Sequence, residues 1–187
     1  MTGPAEHAAA LAERTGGQAA DTFGQWTVDV PADRWVAALA YARDDAGCAF
    51  FDWLTAVDED DAFGVVVHVW SIEGRYHLLL RTRVPRDAPA LPTATGVYRG
   101  AAWHERETHE MFGIDFPGHP GLAPLLLPDG FEGHPLRKEF VLAARVAKTW
   151  PGAKEPGESG HGGPKRRRMA PPGVPEDWGP NAAGDGG

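Results

Sequence analysis

Hydrophobic and polar positions first alternate at Trp26, Val28 and Val30, which are separated by Thr27 and Asp29. This is the two-residue period of a half-buried strand. Pro31 suits the first turn of a helix, and Asp33 lies near its positive end. Trp35, Leu39 and Ala42 then recur at helical spacing as far as Asp45, and Gly47 ends the element. Phe50 to Val57 predicts a second strand. Gly64 to Ile72 and Tyr76 to Val84 predict two more, joined into a hairpin by a short connection containing Gly74. In that hairpin Leu78 and Leu80 alternate with His77, Leu79 and Arg81. One face is therefore core, and the other turns Arg81 and Arg83 toward solvent or a partner. His68 and His77 can lie opposite each other across it, with no third ligand in view, and read as satisfied or exposed histidines. Pro85 to Pro92 is a connection. Ala101 to Phe112 has good helix formers and no internal Gly or Pro, so a helix is expected that stops at Gly113.

Strand, helix, three strands and helix predict an α+β fold: an antiparallel sheet of about four strands with helices packed on one face. An extended Pro/Gly-rich tail follows. Residues 1–20 are rich in Ala and Gly and are expected to be a flexible N-terminus. They lack a basic start followed by an apolar run, so they are not read as a signal peptide. Residues 21–149 form the α+β domain. Residues 150–187 hold seven Pro and ten Gly, too little apolar surface to fold alone, and are expected to be extended or disordered. Their basic cluster, Lys165-Arg166-Arg167-Arg168, suggests an arm laid over an acidic neighbour.

Composition narrows the function. A net charge of −8 argues against a general nucleic-acid binder. No stretch approaches 18 apolar residues, so no membrane span is expected and membrane association must come through a partner. Neither a phosphate loop nor a dinucleotide fingerprint occurs. The single cysteine, Cys48, can form no internal disulfide and cannot supply the thiolates of an iron–sulfur cluster. It is expected to be a small buried residue. The acidic run Asp58-Glu59-Asp60-Asp61 lacks calcium-loop spacing and is read as a solvated turn.

The densest chemistry runs from Trp103 to Phe140, where charge sits between aromatics and is broken by Gly and Pro. Glu105 and His109 are i,i+4 neighbours on the predicted helix, as are Arg106 and Glu110. Trp103 and Met111 share one side, with Glu107 between them. Two readings stay open: a solvated helix face, or a partly buried ion-pair cluster of Glu105, Arg106 and Glu107 at a contact surface, with the Arg106 guanidinium held between carboxylates of which Glu110 is the nearest. The zinc-protease pattern fails, because His104 and His109 are five apart rather than four. Gly118-His119-Pro120 and Gly133-His134-Pro135 repeat one tripeptide and are read as rigid turns rather than ligands.

Glu105-Arg106-Glu107, then Glu110-Met111-Phe112-Gly113-Ile114, Gly118-His119-Pro120, and Asp129-Gly130-Phe131-Glu132-Gly133-His134-Pro135-Leu136-Arg137-Lys138 together resemble the thirty-kilodalton, or C, subunit family of respiratory complex I, the NADH:quinone oxidoreductase. The resemblance covers roughly residues 23–142. Where the family offers basic residues, Ala123 and Pro124 stand here. The resemblance implies a non-catalytic structural subunit of the peripheral arm of a proton-translocating enzyme. It would lie on the cytoplasmic face of the bacterial cell membrane, in a hetero-oligomer with the large quinone-site subunit and the subunit bearing the terminal iron–sulfur cluster. It implies no catalytic, cofactor-binding or metal-binding residues in this chain, with FMN, iron–sulfur clusters and quinone in partner subunits. The partner interface it implies is Glu105, Arg106, Glu107, Glu110, Phe112, His119, Gly133, His134, Pro135, Leu136, Arg137 and Lys138. Three alternatives remain. The same module can serve a hydrogenase-like or other-donor relative of complex I. A free-standing metal-dependent hydrolase would use His104, His109, His119 and His134. A soluble adaptor would bind through the tail alone.

Overall fold

The computed structural model describes residues 3–141. In chain order the elements are α1 (Pro4–Thr15), β1 (Gln18–Thr22), β2 (Gln25–Asp29), α2 (Trp35–Asp44, entered through a single 3-10 turn at Ala32–Arg34), β3 (Phe50–Asp58), β4 (Ala62–Ser71), β5 (Tyr76–Pro85) and α3 (Ala101–Phe112). The five strands form one sheet in the order β1-β2-β5-β4-β3. All pairings are antiparallel except β2 with β5, which run parallel. The α+β class, the helices on one face and the β4–β5 hairpin agree with the sequence reading; the sheet gains one strand and one parallel pair.

Period-two patterning decides which face is covered. Phe63, Val65, Val67 and Val69 of β4 and Leu78, Leu80 and Val84 of β5 are buried and join one core with Trp35, Leu39 and Leu54. The opposite face carries Trp53, Val66, His68, Trp70, His77 and Leu79, all partly exposed. There His68 and His77 do meet: the ring nitrogens lie 2.6 Å apart, and Asp52, at an irregularity in β3, is 2.8 Å from the other nitrogen of His68. Cys48 is buried as expected, and burial pushes its thiol up to about 12.

The N-terminal segment departs from expectation. Residues 4–15 are not flexible but helical, and residues 18–22 add the edge strand β1. Pro4 starts the helix, the Gly3 amide donates to Glu6 at 3.1 Å, and Gly16 ends it in the left-handed region at φ +71°. Ala8 and Leu11 are fully buried in the common core. A short, Ala-rich helix with one large apolar residue has a weak periodic signal, and its stability comes from docking rather than propensity. The tail from residue 142 onward, with Lys165–Arg168, lies outside the described residues.

Leu11→Ala is expected to destabilise the full chain by about 2–5 kcal/mol in urea denaturation, as for other buried Leu truncations. A loss below about 0.5 kcal/mol would mean that α1 does not contribute to the core.

Candidate interaction site around the signature helix

Helix α3 is fixed first by Glu105. Its carboxylate is fully buried and accepts from the Thr93 hydroxyl at 2.5 Å and the Ala94 amide at 2.6 Å. This ties the helix to the connection leaving β5. Burial raises the Glu105 pKa above the ordinary glutamate value; the Thr93 and Ala94 hydrogen bonds and the nearby His119 oppose this without cancelling it. His119, from the first Gly-His-Pro repeat, donates through Nε2 to the Ala102 carbonyl at 3.0 Å and accepts the Gly121 amide on Nδ1 at 2.9 Å. Both ring nitrogens are therefore committed to backbone.

The second repeat closes the other end. A helix leaves its last four carbonyls without intrahelical partners, and here each is met. Gly113 N–H donates to the His109 carbonyl at 2.8 Å, His134 Nδ1–H to Glu110 at 2.8 Å, Leu136 N–H to Met111 at 3.2 Å and Arg137 Nε–H to Phe112 at 2.7 Å. The run Gly133-His134-Pro135-Leu136-Arg137 is thus a tertiary cap on α3. Gly113 makes it geometrically accessible. Its φ is +72°, and a Cβ there would collide with His134 Nε2 and stand 2.6 Å from Arg137 Nη2.

Between these points the helix holds the segment 123–127. The Glu110 carboxylate accepts the amides of Leu125 (2.9 Å), Leu126 (2.8 Å) and Leu127 (3.1 Å). One helical turn earlier, Arg106 donates from Nε to the Ala123 carbonyl at 2.8 Å and from Nη2 to the Pro124 carbonyl at 2.6 Å. Partial burial pushes the Glu110 pKa up, but the three amides and the Arg106 charge outweigh it and leave it below the ordinary glutamate range. This corrects the expected ion-pair cluster. Arg106 does not sit between carboxylates; it and Glu110 each bind backbone of the same extended segment. The guanidinium also lies over the Trp103 ring, 5.2 Å from its centroid. Since backbone carbonyls take the fork, Ala123 and Pro124 need no side-chain charge for this contact.

A second network escaped the sequence reading. Asp58 is not in a solvated turn but nearly buried; it accepts from Arg86 Nη1 and from the Lys138 amide, the latter at 2.7 Å. Arg86 also donates to Glu139 at 2.9 Å. Burial raises the Asp58 pKa, yet the Arg86 and Lys138 hydrogen bonds and charges prevail and hold it below the usual range. Arg86 and Arg137 both stack on the buried Phe63 ring, at 4.7 and 5.0 Å, and Phe63 meets Phe112 edge-on at 6.1 Å. Nothing local marks Asp58 and Arg86 as partners, since they lie 28 residues apart.

The predicted interface residues therefore divide. Glu105 and Phe112 are buried by this chain and present no surface, which corrects their expected role. Arg106, Glu110, His119, His134, Pro135 and Arg137 are partly exposed and chiefly build the scaffold; Glu107, Gly133, Leu136 and Lys138 are exposed. Trp103 and Leu126, which the sequence reading does not assign to the contact, are exposed beside them. The four histidines of the hydrolase reading are not brought together. His104 bonds the Leu54 carbonyl at 3.2 Å and His109 the Ile114 carbonyl at 2.8 Å, while His119 and His134 bond two others. Among the described residues no three His, Cys, Asp or Glu side chains are grouped to hold a metal ion.

The family described as respiratory-chain NADH dehydrogenase, 30 kDa subunit, matches residues 28–146. The chain belongs to this family. It is 41% identical over 129 residues to the NADH-quinone oxidoreductase C subunit of Rhizobium rhizogenes, covering 66% of this chain and 64% of that protein. It is 41% identical over 151 residues to the protein of the same description from Methylobacterium radiotolerans, covering 74% and 69%. The chain thus spans about two thirds of the length of these curated relatives. Among solved structures, the trypsin-resistant fragment of Nqo5 aligns with TM-score 0.57 at 28% identity, over 63% of this chain and 98% of the fragment. A chain of an archaeal membrane-bound sulfane sulfur reductase shares the fold, with TM-score 0.63 at 23% identity over 83% and 97%. The family match begins at Val28, near the end of β2, and runs past the α3 cap, so it contains β3, β4, β5 and the whole site but not α1 or β1.

Two outcomes test the site. Gly113→Ala should lower stability by more than the roughly 1–2 kcal/mol of a left-handed non-glycine residue, because the new methyl displaces His134 and Arg137. Chemical denaturation measures it, and a loss within that range would mean that the cap does not abut Gly113. Glu105→Gln tests the buried carboxylate through pH. A carboxyl whose folded pKa is raised binds more protons folded than unfolded, so the wild type loses stability as pH rises from the ordinary value of 4.5 through the folded one. The stability of the Glu105→Gln variant relative to wild type should therefore increase across that window. A relative decrease would mean that the carboxylate is stabilised where it sits.

Proposed function

We propose that this chain is a non-catalytic structural subunit of the peripheral arm of a proton-translocating NADH:quinone oxidoreductase. It docks on the subunits that carry the quinone site and the terminal iron–sulfur cluster, on the cytoplasmic face of the bacterial cell membrane. FMN, clusters and quinone belong to partner subunits. The carrying observation is how the signature residues are used. Glu105, Glu110, Arg106, His119, His134 and Arg137 all bind backbone of their own chain, so the motif builds a shaped surface rather than a reacting centre. Family membership and relatives described as the NADH-quinone oxidoreductase C subunit support the same reading. No described helix is long and apolar enough to cross a membrane, in keeping with attachment through partners.

Along α3 the chain exposes Trp103 under Arg106, Leu126 at the segment held by Glu110 and Leu136 in the cap, each more than half exposed, and Glu107 and Lys138 are exposed as well. Apolar anchors rimmed by charge suit a protein–protein contact. Its service to the reaction is geometric: electron transfer and quinone chemistry require fixed distances between separately folded parts.

In cells whose only copy is the double variant Trp103→Ala with Leu136→Glu, the complex should lose this subunit and membrane NADH:quinone reductase activity should fall with it. The purified chain should keep its melting temperature within about 4 °C, since both side chains are exposed and the lost Arg106–Trp103 stacking is worth at most about 1 kcal/mol. Full retention and activity would contradict the docking role of this surface.

A further inference from the structure

The hairpin joining β1 and β2 turns through two residues, Phe23 and Gly24, with Thr22 paired to Gln25. Both turn residues have positive φ, +56° and +80°. This is the pattern of a type I′ turn, for which Asn-Gly or Asp-Gly is the usual sequence. A bulky aromatic at the first position is strained. Phe23 gains nothing in return from the described residues, among which its side chain is fully exposed. A strained backbone and an uncovered aromatic at one point are independent observations, and together they indicate a contact made outside the described residues.

We propose that Phe23 is an anchor that inserts into an apolar pocket on another protein subunit of the assembly. This rests on the reading of the chain as one part of a multi-subunit complex. The surroundings favour a protein pocket over a lipid surface. Residues 18–29 contain no Lys or Arg; Asp29, at the far end of the hairpin, is paired with Arg81, and Asp21 is the charge nearest the tip, the reverse of what anionic headgroups attract. The apolar surface at the tip is one side chain rather than an amphipathic face. The outer edge of β1 ends the sheet, and four of its five residues are exposed, so the backbone beside the tip is open to a docked chain. The pocket rim opposite Asp21 is neutral or basic.

The position gives the contact its use. Strand β1 is one edge of the sheet, and α3 packs against β3, the other edge. Anchors at both edges would fix the orientation of the subunit, where one would leave it free to pivot.

Phe23→Asn separates the two costs, because Asn adopts the left-handed region readily. The full-length variant should melt about 2–4 °C higher than wild type, while its retention in the detergent-purified complex falls at least about tenfold. In parallel, a photoreactive benzoylphenylalanine at position 23 of the full chain should crosslink, within the purified complex, to another polypeptide of that complex. Crosslinking only to lipid, no crosslink, or undiminished retention of Phe23→Asn would each overturn the proposal. If the wild-type chain itself were missing from the complex, the reading of the chain as part of that complex would fall and this inference with it. Wild-type retention with an indifferent Phe23→Asn would sink the inference alone.

Discussion

The capping of α3 by a distant segment is the interaction on which the rest of the site depends. The last four carbonyls of the helix are met by Gly113, His134, Leu136 and Arg137. Left unpaired and shielded from water, each would cost about 1–3 kcal/mol. The same contacts hold residues 133–137, which have no regular structure of their own, against the domain. Helix and loop thus order each other. Without the helix the loop loses these acceptors, and without the loop the carbonyls of Glu110, Met111 and Phe112 lack donors and Gly113 faces open space.

The sheet supplies what this mutual ordering needs. Phe63, on the covered face of β4, offers its ring to both Arg86 and Arg137, and meets Phe112 at the helix end edge-on. Arg86 and the Lys138 amide then converge on Asp58 at the end of β3. The capping loop is therefore anchored on one side to the helix and on the other to the sheet. Glu110 and Arg106 extend the same logic to residues 123–127 through backbone amides and carbonyls. Backbone is the common partner, which is why the motif is dense in charge yet forms few side-chain ion pairs.

Much of this arrangement is legible in the sequence. The strands with two-residue alternation and the uninterrupted helix at residues 101–112 are readable from local pattern, because those elements bury one regular face. The helix end at Gly113 and the turns at the two Gly-His-Pro repeats are also readable. Helix α1 is not, since Ala8 and Leu11 make too narrow an apolar stripe to signal burial, although Pro4, Glu6 and Gly16 mark its ends. Edge strand β1 is mostly exposed, so it carries no alternation to detect. At the site, helical spacing correctly places Arg106 and Glu110 side by side but suggests the wrong partners. Such i,i+4 arithmetic considers side chains, and the competing acceptors and donors are backbone groups 15–18 residues away. The Asp58–Arg86 pair depends on how strand ends meet, which no local pattern reports.

Amide hydrogen exchange tests the mutual ordering most directly. In the full-length chain the amides of Leu125, Leu126, Leu127 and Leu136 should be protected, and they should open with the same free energy as the last turn of α3, because one cooperative unit is involved. Glu110→Gln should weaken protection at residues 125–127 first. Exchange of these amides at the rate of an unstructured loop, with α3 still protected, would contradict the account: the helix would then stand without its cap, and the signature segment would not be a preformed surface.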